Sequence, residues 1–505
     1  MASLNDLIVS NEAVERHRPW PRALVSRKSW QQAADRLHSG EWSLLGLWGE
    51  PDWAHMAVTE PETHACAVLS VACEASRFPS IGRLHAPAIR LERAMRDLVG
   101  LEPEGLADAR PWLDHGKWER HPLGPARHSP AALPAYSFLA AEGESLHQIP
   151  VGPVHAGIIE PGHFRFTANG ETVVRLEERL GYAHKGTESL MAGASIGRAA
   201  VLAGRVSGDS TVAFALAFSL AAEAALGVDV PPRAVWLRAL LAELERLANH
   251  FGDIGAVCND AAFAIMHAHC ALLREQVLRT AETCFGHRLL MDRVIPGGIQ
   301  RDITAEGARA LLALVANLRK RFPELVEVYD NTPSLKDRTV GTGILSPALA
   351  QRFAAGGFIG RASGRNFDAR RTPGYAPYDR LQFEIPVVRA GDVNARVWIR
   401  ISEVGQSLAL IEQILDQLPS GSILAGAIAE RSPHGREGVA LVEGFRGDVL
   451  AWVRIAAGGS VERCHLRDPS WFQWPLLEAA IEGNIVADFP LCNKSFNCSY
   501  SGHDL

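Results

Sequence analysis

Titratable side chains gather at a few points of this chain, in spacings that could move protons or hold a metal. The stretch GPVHAGIIEPGHFRF carries His155, Glu160 and His163 on a loop that leads into a strand-like pattern, and YAHKGTE carries His184, Lys185 and Glu188. Farther on, Arg246, His250 and Asp253 are spaced four and three apart, so a helix presents them on one face, with Asp260 following. A solvated ion pair explains that trio as well as a buried relay does. Lone histidines are more often hydrogen-bonded packing residues than ligands, so only some of these groups belong to a true site.

Two other stretches raise the question of a bound anion or metal. GRVSGDSTVAFALAFSLAAEAALG, residues 204–227, opens with small and polar residues and runs into an apolar helix. Asp209, Ser210 and Thr211 read as N-cap residues, whose side-chain oxygens accept from the free amides of a first turn. A phosphate loop is the alternative. It fails because Gly204 and Gly208 stand one residue too close and no lysine follows. Near the end, Cys492, Cys498 and His503 could bind a metal, but their spacing fits no closed tetrahedral pattern. The eight cysteines contain no C-x-x-C pair and mostly sit in apolar surroundings, which suggests reduced core thiols.

The elements that must position these groups differ along the chain. Residues 1–118 look like a small mixed α/β domain, with apolar runs such as SLLGLW and ACAVLSVA before the charged helical pattern APAIRLERAMRDLVGL. Residues 119–150 form a proline-rich linker, suited to an extended path over a neighbouring surface. In 151–505 a hairpin is expected over 163–182, around Asn169-Gly170. Long helical patterns follow, with Trp236, Leu240, Leu244, Leu247, Phe251 and Ile254 on one stripe. A second helix is expected after Asp260 and another near 310–330. The expected fold class is therefore α+β, the small domain preceding a mainly helical bundle with peripheral β-hairpins. Gly- and Pro-rich loops and short strands near 340–400 and 445–470 are expected to cap it.

A net charge of −6 with both signs scattered along 505 residues argues against a nucleic-acid partner. The first residues lack a basic segment before an apolar core, so a cytoplasmic location is expected. No apolar run reaches the 18 or more residues of a spanning helix, so attachment to a membrane must go through a partner.

In sequence order, GPVHAGIIEPGHFRF, LEERLGYAHKGTE, RVSGDST, ELERLANHFGDIGAVCNDAAF, MDRVIPGGIQRD, RASGRNFDARRTPGYAPYD, GDVNARVWIRISEVGQSL and DPSWFQWPLLEAAIEGNIVADFPL resemble the large subunit of membrane-bound nickel–iron hydrogenases. Within that family the likeness is to the formate hydrogenlyase and hydrogenase-4 type and to the homologous 49 kDa subunit of respiratory complex I. FPSIGRLHAPAIRLERAMRDLVGLEPEG resembles the 30 kDa subunit of complex I.

The resemblance implies a site and also a conflict. The hydrogenases hold nickel and iron with four thiolates, from a C-G-x-C loop and a D-P-C-x-x-C tail. Here those positions read Ser207, Ser210, Ser499 and Gly502. Soft thiolates select such a centre; a hydroxyl is a poor donor and glycine donates nothing. No metal is therefore expected on this chain, and the absence of a long extension after the tail agrees. In the complex I branch the same cavity takes a quinone head group through a histidine paired to an aspartate and through a tyrosine. Asp260 matches the aspartate and either His155 or His163 the histidine, while the tyrosine position falls at or near Gly208.

A chain lacking both sets keeps the fold for another task. The expected cavity, lined by Glu160, Asp209, Asp260 and Arg361, relays protons or strain, with Arg205 and Arg361 as counter-charges. The implied partners are a small iron–sulfur subunit carrying a four-iron–four-sulfur cluster and antiporter-like membrane subunits, with the chain on the inner face of the cell membrane. A non-catalytic scaffold and, less well supported, an active hydrogenase remain as alternatives. No G-x-G-x-x-G follows a strand, so a link with NADH runs through other subunits.

Overall fold

The computed structural model describes residues 3–125, 136–155, 159–426 and 434–505. Part of the proline-rich linker, 126–135, thus lies outside the described residues. The linker's last residues, Leu146–Val151, form an antiparallel strand beside His163–Asn169, which turns at Asn169-Gly170 into Thr172–Arg179. The expected hairpin is therefore present and gains a third strand.

The apolar runs in the first part of the chain form a five-stranded sheet whose long strands are buried along nearly their whole length. In space its order is Glu12–Ala13, Arg22–Val25, Ala65–Ala72, Trp53–Glu60 and Ser43–Glu50, with one parallel pair, Arg22–Val25 against Ala65–Ala72. Helices Arg27–Ser39 and Ile89–Val99 cover it, and Trp30, Leu37, Met56, Leu69 and Met95 share its core.

Five long helices build the second part: Thr211–Leu226, Pro232–Asp260, Ala264–Phe285, Ala305–Asp330 and Val393–Asp416. Pro232 starts the second of them where a missing N–H costs nothing. Its stripe of Trp236, Leu240, Leu244, Leu247, Phe251 and Ile254 is buried in one core with residues of the neighbouring helices. Thr211–Leu226 is apolar on every side, and a helix of that kind must be covered all round. One cover is a buried four-stranded sheet of Val461–Arg467, Gly447–Ile455, Arg436–Gly444 and the short N-terminal strand His17–Arg18. The approach is close: a Cβ at Gly438 would lie 1.9 Å from the carbonyl oxygen of Ala221.

The strands expected near 340–400 are absent among the described residues. Short helices occupy that stretch instead, Pro347–Arg352 and Gly357–Ala362, followed by turns through Arg370–Gly374. Its glycines and prolines punctuate the chain too often for a ladder, and each short helix is held by buried neighbours. All eight cysteines are unpaired and buried, as expected of core thiols.

Candidate functional site

The loop 207–210 and the tail 499–502 meet although almost 300 residues separate them in sequence. The Ser207 and Ser499 hydroxyl oxygens lie 3.1 Å apart. The Gly502 amide donates to Ser499 Oγ at 2.9 Å, and Ser499 in turn caps the short helix Tyr500–Asp504. Ser207 donates to Asp209 Oδ1 at 2.7 Å and Ser210 to the same oxygen at 3.2 Å. Ser207, Ser210, Ser499 and Gly502 thus converge in one centre.

An ion pair fills that centre. Strands Arg436–Gly444 and Gly447–Ile455 are joined by Phe445 and Arg446, and this hairpin tip points inward. Arg446, buried at 4% exposure, clamps Asp209 with two bonds of 2.7 and 2.6 Å and donates to Ser210 Oγ at 3.1 Å. Burial pushes the Asp209 carboxyl up, but the Arg446 guanidinium and the two serine hydroxyls outweigh it and hold the carboxyl at about 2. Below the pair, buried Asp468 crowds Gly502. A Cβ built there would stand 2.3 Å from Asp468 Oδ2 and 2.8 Å from Ser499 Oγ, so a side chain at 502 requires Asp468 to move.

This pairing also changes the helix start. The side chains of Asp209 and Ser210 are drawn to Arg446, and Ser210 makes no capping bond. Glu245, from the helix Pro232–Asp260, supplies the cap from outside by accepting from the amides of Val212 and Ala213 at 2.7 and 3.1 Å. Burial raises its carboxyl to about 8 against the pull of those amides. Beside Gly208, Asp209 and Glu245 lies a cavity of about 20 Å³, room for a water molecule but not for a ring.

The other expected site residues are placed apart from one another. Glu160 accepts from the Ser501 amide at 2.8 Å and so belongs to the wall of the tail. His155 donates from Nε2 to the Gly162 carbonyl at 2.7 Å; His163 donates from Nδ1 to the Gly152 carbonyl at 3.2 Å and receives Arg165 Nε at 3.3 Å. Both histidines therefore tie down the strand entry. Asp260 ends the long helix, its carboxyl raised by burial with Lys494 and His267 near. Among the described residues no hydrogen bond or ion pair joins Asp260 to either histidine.

Arg361 belongs to a second, wholly buried cluster. It bonds Glu403 Oε1 at 2.8 Å, Glu443 Oε1 at 2.9 Å and Asp368 Oδ2 at 3.3 Å. Glu403 also receives His250 Nε2 at 2.7 Å, while Arg246 and Arg370 reach Glu243 at 3.2 and 3.0 Å. The trio of Arg246, His250 and Asp253 is thus buried rather than solvated, with Asp253 bound by Arg400 at 3.1 Å. Burial and the neighbouring Asp368 raise the Glu443 carboxyl to about 7. One cavity lined by Glu160, Asp209, Asp260 and Arg361 is not what forms, and Arg205 pairs outward with Asp292 at 2.7 Å.

The remaining sequence candidates are structural ties. Lys185 donates to the carbonyls of Arg205 and Val206 at 3.0 and 2.6 Å, which fixes the base of the 207–210 loop. His184 donates to the Asp504 carbonyl at 2.7 Å, and Glu188 pairs with Arg463 and His465. His503 spends both ring nitrogens on Asp504 and Trp112, away from any role with Cys492 and Cys498. Among the described residues, no group of three or more His, Cys, Asp or Glu side chains is placed to hold a metal ion. Arg446, Glu245, Glu403, Glu443 and Asp468 were not singled out from sequence. The turn G-F-R-G-D is the one local signal that a cation sits at a hairpin tip.

A mainly helical bundle with a small sheet domain thus surrounds a centre shared by loop and tail. The family model described as the respiratory-chain NADH dehydrogenase 49 Kd subunit matches residues 260–437, and the one described as the 30 Kd subunit matches 25–128. The chain belongs to the family of large subunits of membrane-bound hydrogenases and respiratory NADH dehydrogenases, with 30 kDa-like and 49 kDa-like parts in one polypeptide. It is 33% identical to formate hydrogenlyase subunit 5 of Escherichia coli (strain K12), over 85% of this chain and 77% of that one. Against an NADH-quinone oxidoreductase subunit of Syntrophobacter fumaroxidans (strain DSM 10017 / MPOB) it is 30% identical, over 70% and 94% of the two chains. A solved chain of the membrane-bound sulfane sulfur reductase, an archaeal respiratory membrane complex, superposes with a TM-score of 0.67 at 27% identity, covering 72% of this chain and 100% of that one. No helix among the described residues is long and apolar enough to cross a membrane.

Proposed function

We propose that this chain is a coupling subunit of a membrane-associated redox complex that works without a nickel–iron centre. The carrying observation is the centre itself. In this reading Ser207, Ser210, Ser499 and Gly502 stand where the family's hydrogenases present sulfur, and the Arg446–Asp209 pair lies among those residues. A hydroxyl does not replace a bridging thiolate for a soft metal, and a side chain at 502 would first require Asp468 to move. The donor set does not fit that group, and no step of the chain's work is routed through it.

What the residues present can do is hold and shift charge. Glu245 and Glu443 sit near neutrality, so each is poised to take or give a proton close to pH 7, one beside the 207–210 loop and one in the Arg361 cluster. In this reading electrons pass through an iron–sulfur cluster of a partner subunit, the chain lies on the cytoplasmic face of the membrane, and antiporter-like subunits anchor it. A quinone head group is too large for the cavity beside Gly208, so a quinone site would have to be completed by the partner's surface.

Growth in medium stripped of nickel tests this reading. The complex isolated from such cells should keep its electron-transfer activity in full. An activity that vanishes without nickel and returns when nickel is supplied overturns it.

A further inference from the structure

Away from the centre, a cavity of about 370 Å³ opens between the N-terminal helix Ile89–Val99, the strand Thr172–Arg179 and the helix Ser470–Ala480. At its inner wall two carboxylates share one guanidinium. Arg90 donates to Glu178 Oε2 at 3.0 Å and lies 2.6 Å from Glu478 Oε1, which also accepts the Glu178 amide at 2.8 Å. Glu178 is 1% exposed, and its second oxygen, Oε1, is buried with no hydrogen-bond partner. A buried carboxylate oxygen without a donor is costly as an anion and is satisfied by carrying a proton.

The surrounding charges are already committed. Arg93 is bound by Asp108 at 3.0 Å, and Arg110 by Asp108 and Glu177 at 2.7 and 2.5 Å. At the mouth Arg175 faces Glu482, whose carboxyl is raised by burial and lowered by that arginine. Arg179 is held by the carbonyls of Pro111, Trp112 and Asp114, and Tyr136 receives Arg93 Nη2 at 3.0 Å. On the inner side burial pushes the tail groups Cys498 and Tyr500 up, and both lie close enough to Glu178 for a charge there to add to that push. Among the described residues Arg90 is the one cation that bonds Glu178, and Glu478 has a claim on it too.

We propose that Glu178 is a proton-exchange group, taking up and releasing one proton through this cavity while Arg90 and Glu478 hold a fixed ion pair beside it. The proton passes between cavity water and the Glu178 carboxyl, and no other bond is made or broken. Burial and the like charge of Glu478 both raise its carboxyl against the pull of Arg90, in keeping with an oxygen left without a donor. The site therefore joins solvent to the layer just outside the 499–502 tail. Nothing in it depends on whether the centre holds a metal.

Infrared spectroscopy of the intact protein in water and after transfer to deuterium oxide tests this. At pH 7 a protonated carboxyl band should be present that shifts within the mixing time, because the cavity admits water. Glu178→Gln should lose that band, whereas Glu482→Gln should keep it, with circular dichroism reporting that both are folded. Glu443, enclosed in the Arg361 cluster, should shift slowly, and Glu245→Gln made in the same background removes any band from the carboxyl beside the small cavity at Gly208. Absence of a fast-shifting carboxyl in the unaltered protein overturns the proposal even if the variant fails to fold, and so does a fast band that survives Glu178→Gln.

Discussion

At the scale of single residues, Asp209 and Arg446 decide what the centre can be. Two bonds of 2.7 and 2.6 Å hold a guanidinium that is 4% exposed, so removing the carboxylate strands a buried cation. Breaking a fully buried pair costs about 3–5 kcal/mol, but the Asp209 side chain is 34% exposed. Asp209→Asn should therefore cost about 2 kcal/mol, read as a lowered midpoint of denaturant unfolding. The pH dependence has a definite sign. The folded carboxyl, at about 2, lies below its unfolded value of about 3.9, so the contribution is complete above about pH 4 and fades as pH falls towards 2. The variant should match the native protein at the bottom of that window; an undiminished gap there contradicts the pairing. None of this was legible in the sequence, because a short side-chain pair 237 residues apart leaves no periodic trace. The serines at 207, 210 and 499 and the glycine at 502 were legible, since motif order alone placed them.

At the scale of elements, the helix Thr211–Leu226 shows where local rules yield to tertiary ones. Its apolar residues signalled a buried helix, and its polar start signalled a cap that the structure assigns to Glu245 instead. A helix start reads from its own residues only when those residues are free to cap it. Glu245 is raised to about 8 from an unfolded value of about 4.3, so its contribution is present below about pH 4 and is lost as pH rises through 8. Glu245→Gln removes that loss. Its stability relative to the native protein should rise between about pH 5 and about pH 9; thermal unfolding with a constant difference across that range would rule the raised carboxyl out. On the helix's other side, Gly438→Ala drives a methyl into the Ala221 carbonyl and should cost about 1–3 kcal/mol through overpacking. A neutral result there would mean that strand and helix are farther apart than described. The long stripe of Pro232–Asp260 was readable because its 3.6-residue period, from Trp236 to Ile254, runs for about five turns. The short helices of 347–362 were not, because two turns rich in glycine carry too little pattern.

At the scale of the whole molecule, the two parts of the chain are interlocked. His17–Arg18 adds a parallel strand to the sheet of 436–467, and Arg22 reaches Glu437 at 2.5 Å. Arg454 joins Glu437 at 2.9 Å and Glu50 at 2.6 Å, while Trp48 packs 5.5 Å from Trp452. The sequence announced the two parts by their different periods, but a two-residue strand and scattered ion pairs gave no notice that they share a core. Glu437→Gln should leave the buried Arg22 guanidinium short of charge, while the half-buried Arg454 keeps Glu50, and lower stability by about 3 kcal/mol. Calorimetry should still record one transition, since the sheet itself crosses between the parts; a separate early transition of the N-terminal part would contradict the shared core. The proposal of a redox subunit without nickel rests on the centre where loop and tail meet, and its most direct test is the metal content of the complex purified intact with its partner subunits. Elemental analysis should find iron in the proportion its iron–sulfur clusters require and no stoichiometric nickel. One nickel per copy of this chain would contradict it.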